Sequence, residues 1–482
     1  MSESVAAGLS SQSAIPLCVD LDGTLVKSDT LFDSLCQYAR RGPRAFWDVL
    51  RWAAHGRAAL KTHVANQAPL HPAHLPYNTP LLHFLEQERK NGRAIYLTTG
   101  AEQTLAERVA AHLGLFKGVL ATNGDTNLTA SRKLQRVQQD FAAFDYVGNS
   151  RADLVLLTHA QNAMVANPTL GLRIGLWMRS IRIASVFQDR RPPWQALLKA
   201  FRVHQWAKNV LLAMPFLMTH NFTGRGLIAL VAAFFSFSFI ASANYLVNDM
   251  LDIESDRQHR SKRLRPFAAG DLSVLHGLGA AVVLVVAALA LLPFLPLLFA
   301  LWLGLYVCLT AAYSFSLKKV AVVDVLLLSS LYTLRLLAGG AATGTVISPW
   351  LGGLSTFLFL SLAMVKRFSE LENLREQGAT EAHGRGYLVD DIEQIRSFGT
   401  ASAYAAVLVF MLYIARPDVT VLYRHPARLW LIVPLMLYWL QRVWLLAARG
   451  ELDEDPVVFA MKDPPSLLIG AAVVAMSILA AY

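Results

Sequence analysis

Asn248-Asp249-Met250-Leu251-Asp252-Ile253-Glu254-Ser255-Asp256 leaves an apolar run, residues 227–246, without any intervening loop. Asp249, Asp252 and Asp256 stand three and then four apart, the spacing at which side chains share one face of a helix. Carboxylates placed so closely repel one another unless a cation neutralises them. Mg²⁺ suits the task, because it takes hard oxygen ligands and bridges to substrate phosphates. A solvated acidic helix end is the plainer reading, and the apolar run that the acids adjoin argues against it. Arg257, His259, Arg260, Lys262, Arg263 and Arg265 follow, then Pro266. A loop that joins metal-binding acids to several cations suits a multiply phosphorylated ligand.

Working outward, the chain has 482 residues, 54% of them hydrophobic and 16% charged. Soluble domains carry roughly 25% charged residues, so a large part of this chain belongs in lipid. Up to about Arg190 the sequence reads as an ordinary soluble domain; beyond Phe201, long apolar runs alternate with short charged loops. At roughly 20 residues per crossing, about nine spans are expected: 209–218, 227–246, 278–293, 295–314, 320–342, 351–365, 401–414, 429–446 and 466–482. The net charge of +10 follows from basic residues gathering at cytoplasmic helix ends, which leaves no need for nucleic acid as a partner. With the N-terminus inside, Arg257, Arg260, Lys262, Arg263, Arg265, Lys318, Lys319, Lys366, Arg367, Arg375 and Arg385 all fall in cytoplasmic loops. The opposite loops carry only Arg225, Arg416, Arg424 and Arg428, and the C-terminus is expected outside. Residues 1–14 have no basic segment before an apolar core, so no signal peptide is expected. Cys18, Cys36 and Cys308 have no metal-ligand spacing and imply no disulfide framework.

Two further loops match the first. Tyr313-Ser314-Phe315-Ser316-Leu317-Lys318-Lys319 leads to Asp324 at the head of the next helix, and Lys366, Arg367 and Glu370 close the sixth span. Arg335 lies within the fifth span, where an ionisable residue is either functional or paired with an acid such as Asp324. This constellation resembles the UbiA superfamily of intramembrane transferases, whose first motif is NDxxDxxxD. Within it the likeness is to the decaprenyl-phosphate phosphoribosyltransferase branch. It rests on Gln205-Trp206-Ala207-Lys208-Asn209, Asn248 through Arg265-Pro266-Phe267-Ala268-Ala269-Gly270, Tyr313 to Lys318, and Lys366-Arg367-Phe368-Ser369-Glu370-Leu371. Aromatic prenyltransferases of the superfamily usually carry a second acid pair, DxxxD; here Asp324 stands alone.

The first 190 residues read differently. The run 15–19 is a short buried strand ending in Asp20-Leu21-Asp22-Gly23-Thr24. A carboxylate at a strand's carboxyl end lies where open α/β sheets bind ligands. One aspartate can attack phosphorus while the other protonates the leaving oxygen. The stretch resembles the opening motif, DxDGT, of the haloacid dehalogenase (HAD) superfamily. The resemblance implies a Rossmann-like α/β domain, with Thr99, just before Gly100, binding phosphate and Lys133 neutralising it. It also implies Mg²⁺ held by Asp20, Asp22, Asn149 and Asp153, the last two from Tyr146-Val147-Gly148-Asn149-Ser150-Arg151-Ala152-Asp153. Asn149 departs from that closing motif, which has an acid there; an amide oxygen can ligate Mg²⁺ but brings no charge. An active phosphatase and a HAD fold kept as a structural or regulatory module both remain open. Between the first two motifs the resemblance implies a helical cap, around 33–90. Phe46, Val49, Leu50, Trp52 and Ala53 stand there at helical spacing, among Arg40, Arg41, Arg44, Arg51 and Arg57.

The expected organisation is therefore a HAD-like domain over 1–190, an interfacial linker helix over 191–208, and an all-α, polytopic UbiA-like domain over 209–482. Trp194, Leu197, Leu198, Phe201 and Trp206 form the linker's apolar face. The expected reaction is Mg²⁺-dependent transfer of phosphoribose from phosphoribosyl pyrophosphate (PRPP) to a polyprenyl phosphate. Asp249, Asp252 and Asp256 would hold the metal. Lys208, Asn248, Arg260, Lys262, Arg263, Arg265, Tyr313, Lys318, Arg335, Lys366, Arg367 and Glu370 would line the substrate site, and Asp324 would orient the ribose or the metal. The HAD domain would then remove the remaining phosphate, a step in cell-envelope biosynthesis at a bacterial inner membrane. The rivals are prenyl transfer to an aromatic ring and a non-enzymatic lipid carrier. A homo-oligomer is compatible with either.

Overall fold

The computed structural model describes residues 15–42, 44–122, 128, 130–218, 222–376, 378, 385–420, 423–452 and 455–482. Residues 1–14 and the side chains of Phe46 and Arg57, on which some expectations fall, lie outside the described residues. The chain forms two compact units: Met1–Phe201 with Tyr245–Ala281, and Arg202–Asn244 with Val282–Tyr482.

In the first unit, Leu17, Cys18 and Val19 are all fully buried, as expected of a central parallel strand covered on both faces. This strand, β1 (Leu17–Val19), is followed by β2 (Ile95–Glu102), β3 (Gly118–Thr122), β4 (Asp145–Gly148), β5 (Ala163–Ala166) and β6 (Ile183–Phe187). All pairings are parallel and the order is β3-β2-β1-β4-β5-β6. The order reverses between β1 and β4, and ligands bind at such switch points. Leu17, Val19, Ile95 and Leu97 pack one face of the sheet. Cys18, Tyr146, Leu156 and Val165 pack the other.

Helices Thr30–Ala39, Arg44–Ala54 and Arg57–Gln67 form the cap. Asp29 starts the first of them by accepting from the amides of Leu31 and Phe32. The helix Thr79–Lys90, inside the range expected for the cap, instead buries Leu81 and Leu85 in the core of the sheet. The segment Tyr245–Ala281, read from sequence as membrane domain, also packs in this unit. Gly270 shows how closely: it sits at φ +72°, and a Cβ there would meet the Lys27 Cβ at 2.6 Å.

Among the described residues, eight helices are long and apolar enough to cross a membrane. They run from Gly224–Leu251 to Pro464–Ala481, and the protein is an integral membrane protein. Val323–Thr343 is the most enclosed, whereas Leu297–Phe315 keeps Leu298, Leu301 and Leu305 exposed, as a lipid-facing helix does. The short span expected over 209–218 is absent from these eight. Its place is taken by an 11-residue 3₁₀ helix, Val203–Ala213, and the five-residue α-helix Met214–Met218. A 3₁₀ helix rises about 2.0 Å per residue against about 1.5 Å for an α-helix. The 3₁₀ piece alone therefore extends about 22 Å. Polar groups inside the 3₁₀ segment are satisfied: Asn209 Nδ2 donates to Ser238 Oγ at 2.9 Å.

Candidate active sites

At the switch point of the sheet, β1 delivers Asp20 and β4 delivers Asn149. The helix Ala130–Asp140 delivers Lys133, whose Nζ lies 2.8 Å from Asp20 Oδ1 and 3.7 Å from Asp153 Oδ1. Tyr146 Oη donates to Asp153 Oδ1 at 2.8 Å. The Asn149 and Ser150 amides and the Ser150 hydroxyl all donate to Asp153 Oδ2. Asp153 is thus engaged at both oxygens, and it fixes the turn and Lys133. Burial would raise its pKa, but Lys133 and these hydrogen bonds outweigh it and hold the carboxyl below the ordinary range. Burial pushes Asp20 up to about 7 against the pull of Lys133. Burial and the nearby Asp29 do the same to Asp22, also to about 7. Two carboxyls that resist ionisation are a site short of positive charge, which a divalent cation would supply. The Asn149 side chain lies against Gly23, where a Cβ would come within 2.0 Å of Nδ2. Its amide therefore flanks the Asp20–Asp22 turn, and the oxygen donors Asp20, Asp22 and Asn149 fit a hard cation.

Two features of this site escape sequence reading. Val19 pairs with Leu97, so Thr98 stands level with Asp20. Its buried hydroxyl has no oxygen or nitrogen partner. Thr99, the expected phosphate ligand, accepts from the Ala101 amide at 2.9 Å. The second feature is Lys61, from the cap helix Arg57–Gln67, which lines a small pocket of about 90 Å³ with Asp22, Thr30 and Glu102.

The acids of the membrane motif do not share one continuous helix. The helix Gly224–Leu251 stops, Asp252 takes φ −95°, ψ 6°, and the helix Ile253–Gln258 begins. Asp249 and Asp256 still converge on Arg265, whose Nη1 lies 3.2 and 2.7 Å from them. Asp252 turns to Arg40 of the cap at 3.5 Å. Burial pushes Asp256 up to about 6 despite Arg265. One convergent carboxylate pair fits Mg²⁺, which binds through one or two carboxylates plus substrate phosphates. Among the described residues, no three His, Cys, Asp or Glu side chains form a metal cage. Asn248 is half-buried, whereas Arg260, Lys262 and Arg263 are exposed. Arg257 turns inward. Its Nη2 lies 2.7 Å from Asp33 Oδ2 and 2.9 Å from Ser28 Oγ, and its Nε donates to Ala268 O.

The second unit holds two polar clusters. In one, Asp455 Oδ2 accepts from Lys208 at 2.8 Å and from Lys366 at 3.1 Å. Tyr332 Oη donates to the other oxygen at 3.3 Å. Burial would raise Asp455, but the two lysines outweigh it and hold the carboxyl far below its ordinary range. Asp455 was missed from sequence: it lies in a short acidic loop, and no spacing links it to Lys208 or Lys366. In the other cluster, Arg367 and Asp324 are both fully buried and 2.7 Å apart. Arg385 lies 3.3 Å from Asp324, and Tyr313 Oη donates to it at 2.9 Å. Glu370 pairs with Arg367 and Arg385. Asp324 therefore accepts from Tyr313 and Arg385 at Oδ1, and its Oδ2 faces the Arg367 guanidinium as an ion pair without a hydrogen bond. Lys318 is half-buried just before this cluster. Arg335 does not pair with Asp324. Its Nε donates to Asn209 Oδ1 at 2.9 Å, and its guanidinium lies over the Phe237, Tyr306 and Tyr332 rings.

Comparison with known proteins bears on this geometry. Residues 210–462 match the model of the UbiA prenyltransferase family. The protein y4nM of Sinorhizobium fredii is 37% identical over 475 residues, 97% of this chain and 91% of that one. Nodulation protein NoeC of Azorhizobium caulinodans is 33% identical over 280 residues, 57% of this chain and 90% of that one. Decaprenyl-phosphate phosphoribosyltransferase of Corynebacterium glutamicum is 40% identical over 193 residues, 38% of this chain and 58% of that one.

Proposed function

The chain belongs to the UbiA prenyltransferase family, and on that premise we propose that it transfers a phosphoribosyl group from PRPP to a polyprenyl phosphate. The observation that carries this reading is the state of Asp324. Its carboxylate is taken by Arg367, Arg385 and Tyr313, so among the described residues this loop offers no second pair of open acids for a prenyl diphosphate. The partial likeness to decaprenyl-phosphate phosphoribosyltransferases supports the same substrate class.

In this mechanism Asp249 and Asp256 would hold Mg²⁺, which would supply positive charge for the departing pyrophosphate. Lys262 and Arg263, in the same unit as these acids, bind phosphate oxygens. A phosphate oxygen of the lipid attacks the anomeric carbon, the bond from that carbon to pyrophosphate breaks, and pyrophosphate leaves. The product still carries a phosphate monoester on its ribose. We assign its removal to the HAD domain. Asp20 attacks phosphorus and becomes the aspartyl phosphate, while Asp22 protonates the departing ribose oxygen. Asp22 then takes a proton from the water that hydrolyses the aspartyl phosphate. Lys133 neutralises the phosphate. A carboxyl poised near neutral pH suits the acid–base role of Asp22. The excess of basic residues in alternate loops supports a bacterial inner membrane with these loops and the HAD domain on the cytoplasmic side.

The test uses purified full-length protein, Mg²⁺, a polyprenyl phosphate and ribose-labelled PRPP, with lipid extraction as the readout. Label should enter the lipid phase and be lost on Asp249→Ala. Asp20→Asn should leave transfer intact and make the phosphorylated lipid accumulate. An unlabelled lipid phase across several chain lengths, with the protein folded, rejects phosphoribosyl transfer and favours prenylation of an aromatic acceptor. Unchanged product ratios in Asp20→Asn reject the phosphatase step.

A further inference from the structure

Beside the carboxyl edge of β5 and β6 lies a cavity of about 540 Å³, entirely within the first unit and lined by neither Asp20 nor the acid motif. Three helices open onto it at their N-termini. Thr169 and Leu170 begin the helix Leu170–Met178, Pro193 begins Pro193–Phe201, and Ser273 precedes Val274–Leu291. The positive ends of three helix dipoles favour an anion there.

The side chains point the same way. Asn167 is 7% exposed and takes the rare φ of +44°. Its Oδ1 accepts from the Asp189 amide at 2.8 Å, and its buried Nδ2 has no partner. Arg190 donates one Nη2 bond to the Lys27 carbonyl and leaves its buried Nε without a partner. Buried donors without acceptors are costly and rare in folded proteins. Both residues line the cavity, and Arg173, Arg191 and His276 stand at its rim. Its one acid, Asp271, is 3.6 Å from Arg191, so cationic charge remains in excess.

The same rim is greasy. The helix Leu170–Met178 exposes Leu170 (75%), Ile174, Trp177 (83%) and Met178, which recur at one-face spacing. Trp194 is exposed on the next helix. The third wall, Leu272 to His276, runs directly into the membrane span Val274–Phe294. A polar cavity bordered by exposed Trp and Leu at the end of a span lies at headgroup depth.

We propose that this cavity binds the phosphate headgroup of an anionic membrane lipid, with the helix Leu170–Met178 laid into the bilayer interface. The phosphate accepts from Asn167 Nδ2 and Arg190 Nε and is neutralised by Arg173 and Arg191. The lipid's acyl chains lie along Leu170, Ile174 and Trp177. The site does not depend on which donor the transferase uses.

The test takes the full-length protein in detergent and counts bound ligand by native mass spectrometry. The probes are dihexanoyl phosphatidic acid, dihexanoyl phosphatidylcholine and inorganic phosphate. One saturable site for phosphatidic acid is expected, weakened at least about tenfold in the Arg173→Gln/Arg191→Gln double variant. Both arginines are exposed, so the variant should melt like the parent, and Asn167→Ala provides an independent loss of affinity. Equal binding by parent and variants overturns the site. Equal affinity for phosphatidylcholine overturns its charge selectivity. Inorganic phosphate binding as tightly as phosphatidic acid overturns the lipid assignment and makes the site one for soluble phosphate.

Discussion

Replacing Arg257 with Met isolates the contact that ties the acid-bearing segment to the N-terminal α/β domain. The Arg257 and Asp33 side chains are each 2% exposed, and their charges lie 2.7 Å apart. Removing one partner of such a pair strands the other as a buried charge, at a cost of about 3–5 kcal/mol. Asp33 would keep one hydrogen bond, from Ser28 Oγ at 2.6 Å. Arg257 is itself incompletely satisfied, because its buried Nη1 has no hydrogen-bond partner. Both facts place the loss near the lower limit, about 3 kcal/mol. In a domain of this size each kcal/mol moves the melting point by about 2–4 °C, so Tm should fall by about 6–12 °C. A thiol-reactive fluorogenic dye reports the transition through buried Cys18 and half-buried Cys36, both in this unit. Adding Asp33→Asn to Arg257→Met removes the stranded charge and should recover most of the loss. A shift below about 2 °C, or strictly additive single and double variants, would refute the reasoning.

Other expectations follow from the same geometry. Gly23→Ala forces a Cβ toward Asn149 at φ +74°. It should abolish Mg²⁺-dependent hydrolysis of a phosphate ester while leaving phosphoribosyl transfer unchanged. Asn149→Asp adds a charge where one is lacking. At about 4 Å in a medium of effective dielectric 20 a unit-charge interaction is worth about 4 kcal/mol, so Mg²⁺ affinity by calorimetry should rise at least about tenfold. Asp20 and Asp22 have pKa values raised from 3.8 to about 7 by burial, so the folded state holds protons that the unfolded state releases. In chelator, the N-terminal unit should therefore lose stability as pH rises from about 4 to about 7. Mg²⁺ should restore it increasingly over that range, and melting curves with and without the metal would check both signs. Arg367→Lys cannot reproduce the fork to Asp324 and Glu370. Lipid labelling should fall at least about tenfold while the protein still inserts in membranes, as judged by fractionation.

What could be read in advance tracks the range of the physical signal. The first strand was legible because its apolar run and the aspartates at its end are local features, whereas the meeting of Asp20, Lys133 and Asp153 was implied by the HAD resemblance and by no spacing. The break at Asp252 was hidden because 3-then-4 spacing is equally satisfied by two helices joined at a bend. Asp455 and Lys208 are separated by 247 positions, so no spacing rule links them. The expected span over 209–218 is instead part of a 3₁₀ helix followed by a five-residue α-helix, because hydropathy windows register apolar content and not the hydrogen-bond pattern.

Residues 245–281 complete a body begun by residues 1–201, and this has a hereditary consequence. A recombination event that separated the two halves at the linker would hand one descendant an Asp33 buried without its counter-ion. The other descendant would carry an Arg257 with nowhere to go. Each half would inherit an error located in the other, so selection acts on a single locus.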